Sequence, residues 1–102
     1  MAEYFDPDKI EVEWDSGKDS TNQRKHGISF ENAASVFFDP LSLTVKDSEH
    51  SSTEIRYNVI GSTQNGELLV VTFTEREIRL RIISARLATR SEKKDYEESD
   101  QF

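Results

Sequence analysis

Arg56, Arg76 and Arg86 fall at the ends of apolar segments, Arg79 and Arg81 lie between the last two, and His50 and Glu54 stand just before the first. A guanidinium group grips a phosphate through two parallel hydrogen bonds, so Arg76 and Arg86 converging at one sheet rim, with Arg56 from the neighbouring strand, would make a phosphate site. Together with a base, such groups can cleave RNA. The base takes the 2′-hydroxyl proton, the arginines hold the charge growing on the phosphate, and an acid protonates the leaving oxygen. An ordinary glutamate titrates at about 4.3 and needs burial to act as a base at pH 7, whereas histidine, at about 6.5, does not.

Each of these residues also has a plainer reading. The arginines can pair with Glu54, Glu75, Glu77 and the acidic C-terminal segment as surface salt bridges, each worth about 0 to 1 kcal/mol. Lys25 and His26, in "KHG", suit the last turn of a helix closed by Gly27. His50, after Asp47 and Glu49, fits a solvated loop as well as it fits a proton carrier, and Trp14 fits a core.

Other chemistries are excluded or lack a signal. With no cysteine there is no disulfide, zinc thiolate or cysteine nucleophile, which suits a reducing interior. The two histidines stand 24 positions apart, outside any metal-binding spacing, and neither a glycine-rich phosphate loop nor a Gly-x-Ser-x-Gly elbow occurs. The expectation is chemistry without metal or cofactor. "MAEYFDPDKIEVE" has neither a basic start nor a hydrophobic stretch, so the cytoplasm is expected, with no membrane span.

A net charge of -7 argues against unselective nucleic-acid binding, but the charge is uneven. Residues 1–20 carry -5 and residues 91–102 carry -3, whereas residues 67–90 carry +2. The middle of the chain holds the arginines, and the acids sit mainly at its ends.

The elements that must position these groups follow from periodicity. At 102 residues a single domain is expected, burying about 60 to 70% of its unfolded surface. "IEVEWD" alternates as a strand with one buried face. "SGKDSTNQRKH" offers only a helix held by its ends, and Ser29 can cap a second helix, "FENAASVFFD", which Asp39-Pro40 stops. "LSLTVKD", "EIRYNVIGS", "ELLVVTFTER" and "IRLRIISAR" then form a four-stranded antiparallel meander, with a hairpin at Asn65-Gly66. The reversal at Glu75–Ile78 lacks glycine. Strict alternation along the last strand puts Leu80, Ile82, Ser84 and Arg86 on one face and Arg79, Arg81, Ile83 and Ala85 on the other. Thr89-x-x-Glu92 is a capping box for a final helix. The result is an α+β domain with helices on one face of a curved antiparallel sheet, leaving the other face free.

Taken in order, "WDSGKDSTNQRKHGISFENAASVFFDP", "D..HS..E.R", "IG", "LLVVTFTER" and "RIISARLATRSEKKDYEE" resemble the BrnT family of bacterial type II toxins, from Trp14 to about Glu98. That resemblance implies a RelE-like α+β fold of about four to five strands, with two N-terminal helices and a C-terminal one. It also implies a metal-independent endoribonuclease that inhibits growth. The expected partner is a BrnA-like ribbon-helix-helix antitoxin in a 2:2 heterotetramer that reaches operator DNA only through the antitoxin. The motif positions are Trp14, Asp15, Lys18, Asn22, Lys25, His26, Gly27, Phe30, Asp39, Pro40, Glu54, Arg56, Arg76, Arg81 and Arg86.

From these positions, with His50 and Arg79 added, Arg56, Arg76 and Arg86 are assigned to the phosphate, Glu54 or else His50 to the base, and Lys25, His26, Arg79 and Arg81 to RNA binding. The toxin domain is expected over residues 10–98, with an acidic extension at 1–9 and a tail at 99–102. The alternative is a noncatalytic, degenerate toxin acting as a co-repressor with its antitoxin; a small adaptor unrelated to toxins is a third possibility. Two departures from the family stand out. "SGKDSTNQ" lacks the alanines or leucines expected to face the sheet, and the chain starts about a dozen residues before the family's usual first strand, with acids that could shield the arginines.

Overall fold

The computed structural model describes residues 10–99, so the expectations for the extension at 1–9 and for residues 100–102 lie outside the described residues. The alternation of Val12 and Trp14 with acids gives β1 (Glu11–Glu13), and helix α1 (Ser16–His26) follows without one apolar side chain. Its ends hold it, as its composition requires. The Asp15 carboxylate accepts the Lys18 N–H at 2.9 Å, and Gly27, at φ 71°, donates its N–H to the Gln23 carbonyl.

In place of an apolar stripe, α1 carries one buried amide, Asn22, which is 5% exposed. Its Nδ2 donates to the Ile28 and Ala85 carbonyls, both at 2.9 Å, and its Oδ1 accepts the Ala85 N–H at 3.1 Å. β1 pairs only with Arg79–Arg81, so Asn22 satisfies both backbone groups of Ala85 where no strand reaches them.

The second predicted helix is split. Ser29 caps it through the Asn32 N–H, but α2 proper covers only Phe30–Ala34, and Ser35–Phe38 tighten into a 3-10 turn. The Ser35 hydroxyl donates back to the Asn32 carbonyl at 2.7 Å, and the Ser-Val-Phe-Phe run that follows has low helix propensity.

β2 (Leu43–Lys46), β3 (Arg56–Ser62), β4 (Leu68–Arg76) and β5 (Arg79–Leu87) form the expected meander. The sheet order is β1-β5-β4-β3-β2, and the β1–β5 pairing is parallel, so the expected antiparallel sheet is in fact mixed. The helices carry the chain from β1, at one edge, to β2, at the other, and β1 is left beside the last strand. Gly66, at φ 86°, closes the β3–β4 turn. Between β4 and β5 only Glu77 and Ile78 intervene, with Glu77 at φ 56°; a glutamate fills the left-handed position that glycine usually takes in a two-residue hairpin loop, so the turn carries no signature.

One face of the sheet packs on the helical layer. Phe30, Val36 and Phe37 meet Leu69, Val71, Phe73 and Ile82, with the Phe37 and Phe73 rings edge to face at 5.0 Å. Trp14 packs against this core with its ring 6.3 Å from that of Phe30.

Strict alternation fails in β5. Thr72 pairs with Ser84 but Phe73 with Ile82, so Ile83 is a bulge and the phase of the strand reverses across it. Ile82 and Ala85, three positions apart, both face the core. Arg79 and Arg81 therefore share a face with Arg86, contrary to the alternation. The helix α3 (Arg90–Ser99) begins at the expected capping box, Thr89 and Glu92 exchanging hydrogen bonds of 2.8 and 3.2 Å. It then folds over the second face at the Arg86 end, its Glu92 on Arg86 and its Tyr96 hydroxyl donating to Asp39 at 2.7 Å. Helices thus lie on both faces, because α3 follows the face on which Arg86 emerges.

Candidate functional site

Residues directly opposite on paired strands share a face, which fixes the layout of the second surface. Arg56 lies opposite Thr74, Thr74 opposite Arg81, and Arg81 opposite Glu13. The next level holds Arg76 opposite Arg79, with Glu11 beyond it. On the other side come Asn58, Thr72 and Ser84, and after them Ile60, Val70 and Arg86. All the strand arginines, Arg56, Arg76, Arg79, Arg81 and Arg86, thus project from one face.

They do not all converge. Arg76 and Arg86 are separated by six positions along β4, from Arg76 to Val70, or about 20 Å at about 3.4 Å per residue. The expected meeting of Arg56, Arg76 and Arg86 at one rim is corrected by this register: Arg56 and Arg76 share one end and Arg86 belongs to the other. Arg86 is also spent there, holding Glu92 in a bidentate pair at 2.7 and 2.8 Å. First through that hydrogen bond, and against the effect of burial, the Glu92 carboxyl is lowered to about 2.

Around the remaining arginines the carboxylates are close. Glu54 lies 3.4 Å from Arg56 and 3.9 Å from Arg76, Glu13 is 2.8 Å from Arg81, and Glu11 is 3.0 Å from Arg79. Both Glu54 oxygens face guanidinium groups. The Arg56 Nε is buried and donates to nothing among the described residues.

Asp47 continues the row on the far side of Arg56. Its N–H donates to the Arg56 carbonyl at 2.8 Å, extending the β2–β3 ladder by one residue. The Ser51 hydroxyl, donating to the Asp47 carbonyl and accepting the Arg56 N–H, closes the intervening loop. The His50 Nδ1 lies 2.9 Å from the Asp47 carboxylate, and its ring is exposed. Partial burial pushes the Asp47 carboxyl up, but the hydrogen bond and charge of His50, then a hydrogen bond from Asn58, hold it below its usual range. His50 and Glu54 thus flank Arg56 from different sides.

Lys25 and His26 occupy the last turn of α1, which packs on β5 from the helical side. They do not join the arginines. Asp47, Glu49 and His50 also bring three potential metal ligands together, but Glu49 and His50 are exposed and the Asp47 carboxylate already serves His50 and Asn58. The reading by residue type passed over Asp47, Asn58 and Thr72. The two-residue step from Val45 to Asp47, and the i, i+3 spacing of Asp47 and His50, are the signals that point to the first.

Residues 14–92 match the family described as "Ribonuclease toxin, BrnT, of type II toxin-antitoxin system". The fold is similar to that in a crystal structure of the Brucella abortus ribonuclease toxin BrnT, at a TM-score of 0.58 and 24% identity, covering 79% of this chain and 99% of that one. No curated protein sequence matches the chain. With the match spanning most of its length, the chain belongs to the BrnT family of ribonuclease toxins of type II toxin–antitoxin systems.

Proposed function

We propose that this BrnT-family chain is an endoribonuclease that cleaves RNA without a metal ion, slows growth, and is neutralised in the cytoplasm by a BrnA-like ribbon-helix-helix antitoxin, two copies of each forming the complex. One observation carries the reading: Arg56, Arg76, Arg79 and Arg81 gather on the part of the second face that α3 leaves open, beside His50 and Glu54. An RNA phosphate displaces Glu54 and Glu13 and takes their place on the terminal guanidinium nitrogens of Arg56, Arg76 and Arg81. His50 then removes the 2′-hydroxyl proton. The 2′-oxygen attacks phosphorus, the bond to the 5′-oxygen breaks, and water protonates that oxygen, leaving a 2′,3′-cyclic phosphate and a 5′-hydroxyl.

Glu54 is the weaker base, because both its oxygens are engaged by arginines that the phosphate needs. Arg86 holds α3 and does not touch the substrate. Lys25 and His26, on the helical side, close α1 and do not bind RNA at this site. The co-repressor reading has an observation of its own, since Arg56, Arg76, Arg79, Arg81 and Arg86 each already have a carboxylate partner. Incubating purified protein with RNA in EDTA, beside Arg56→Ala, separates the two. Cleavage that the variant loses by about 100-fold or more supports the nuclease; intact RNA with soluble, folded wild type supports the co-repressor.

A further inference from the structure

Resting on the nuclease reading of the arginine row, we infer that Asp47 and Asn58 are positioning residues that fix the tautomer and aim of His50. A carboxylate can only accept, so the proton of a neutral His50 ring stays on Nδ1, 2.9 Å from Asp47, and the lone pair falls on the exposed Nε2. That is the nitrogen a base needs. Asn58 stands diagonally across from Asp47 on the same face, since Val45 lies opposite Asn58 and Asp47 opposite Arg56. The Thr72 hydroxyl donates to the Asn58 Oδ1 at 2.6 Å, which fixes the amide and leaves its NH2 group as the donor on the Asp47 side, where Asn58 helps to hold the carboxyl below its usual range.

This gives a row of polar groups from Thr72, in the middle of the sheet, past Asn58 and Asp47 to His50, hydrogen-bonded at its two ends. Every member but His50 is anchored by the strands or by the ladder bond from Asp47 to Arg56. The arrangement is that of an acid orienting an imidazole next to a cation that receives the substrate's charge. Glu49, on the same short turn, is exposed, and it is the Asp47 carboxylate that the ring Nδ1 meets, so the orienting carboxylate is that of Asp47.

The test is steady-state cleavage of a defined oligoribonucleotide by wild type, Asp47→Asn, His50→Ala and the double variant, with folding checked by circular dichroism. Asp47→Asn keeps the shape but not the acceptor-only carboxylate, and kcat is expected to fall about 10-fold or more with KM within about twofold. His50→Ala is expected to lose about 100-fold or more. Because Asp47 acts through His50, the double variant should be no slower than His50→Ala alone. Nitrogen-15 spectra of the wild-type ring should show the neutral form protonated at Nδ1, and in Asp47→Asn the proton should spread to Nε2. Asn58→Ala, which leaves the loop intact, should lower kcat in the same direction. An unchanged kcat in folded Asp47→Asn, or losses that multiply in the double variant, would overturn the inference while leaving the nuclease standing. A wild type that cleaves no RNA would overturn both.

Discussion

Glu92→Gln tests whether Arg86 serves the fold or the reaction. In the folded chain the Arg86 guanidinium grips Glu92 at 2.7 and 2.8 Å, and the carboxyl falls from 4.5 to about 2, with the Thr89 N–H and hydroxyl adding to the effect. At about 1.4 kcal/mol per pH unit that fall corresponds to roughly 3 kcal/mol. The Arg86 side chain is 43% exposed, so solvent screening reduces the contribution to about 1 to 2 kcal/mol.

Since the folded value is depressed, this stability is present above the unfolded value of about 4.5 and disappears as the pH falls through about 2. Urea unfolding at pH 7 should therefore find Glu92→Gln less stable by about 1 to 2 kcal/mol, with the gap narrowing steadily from pH 4.5 downward. Arg86→Ala should show a similar loss at pH 7 and, where folded, cleave RNA at near the wild-type rate. Equal stability of Glu92→Gln and wild type at pH 7, or a folded Arg86→Ala as inactive as Arg56→Ala, would refute the reasoning.

Three further outcomes follow from the same geometry. Asn22→Ala strands the N–H and carbonyl of Ala85 at a buried edge and should cost about 2 to 4 kcal/mol by urea unfolding. Gly61→Ala puts a Cβ 3.1 Å from the Val36 Cβ and 3.2 Å from the Val36 carbonyl oxygen, part of it backbone that cannot swing away, and should cost about 1 to 3 kcal/mol. In filter binding of a noncleavable RNA across a salt series, Arg56→Ala and Arg81→Ala should each reduce the slope of log K against log salt by about 0.7, the value for one lost phosphate contact on a single strand. Lys25→Ala should leave that slope unchanged.

Much of this was legible in the letters. Gly27, Ser29 and the Thr89–Glu92 box each close a helix end where the residue type says they should, because capping is local. Asn65-Gly66 announced its turn for the same reason. What escaped was non-local. The bulge at Ile83 depends on how β5 meets β4, and it alone decides that Arg79 and Arg81 share the face of Arg86. The register separating Arg76 from Arg86 is likewise a property of the pairing. Asn22, polar in a helix without an apolar stripe, is buried only because β1 is too short to cover Ala85. Asp47 escaped because the two-residue step from Val45 enters a polar loop there, and only the pairing with Arg56 shows that the ladder continues to it.

The central claim is that RNA lies across the open half of the arginine face. Backbone amide shifts of the labelled protein, titrated with a 2′-O-methyl oligoribonucleotide that cannot be cleaved, test it most directly. The account predicts shifts concentrated at His50, Arg56, Thr74, Arg76 and Arg81, with Lys25, His26 and the rest of α1 unmoved. Shifts clustered on α1 and α2, with the strand arginines silent, would contradict it.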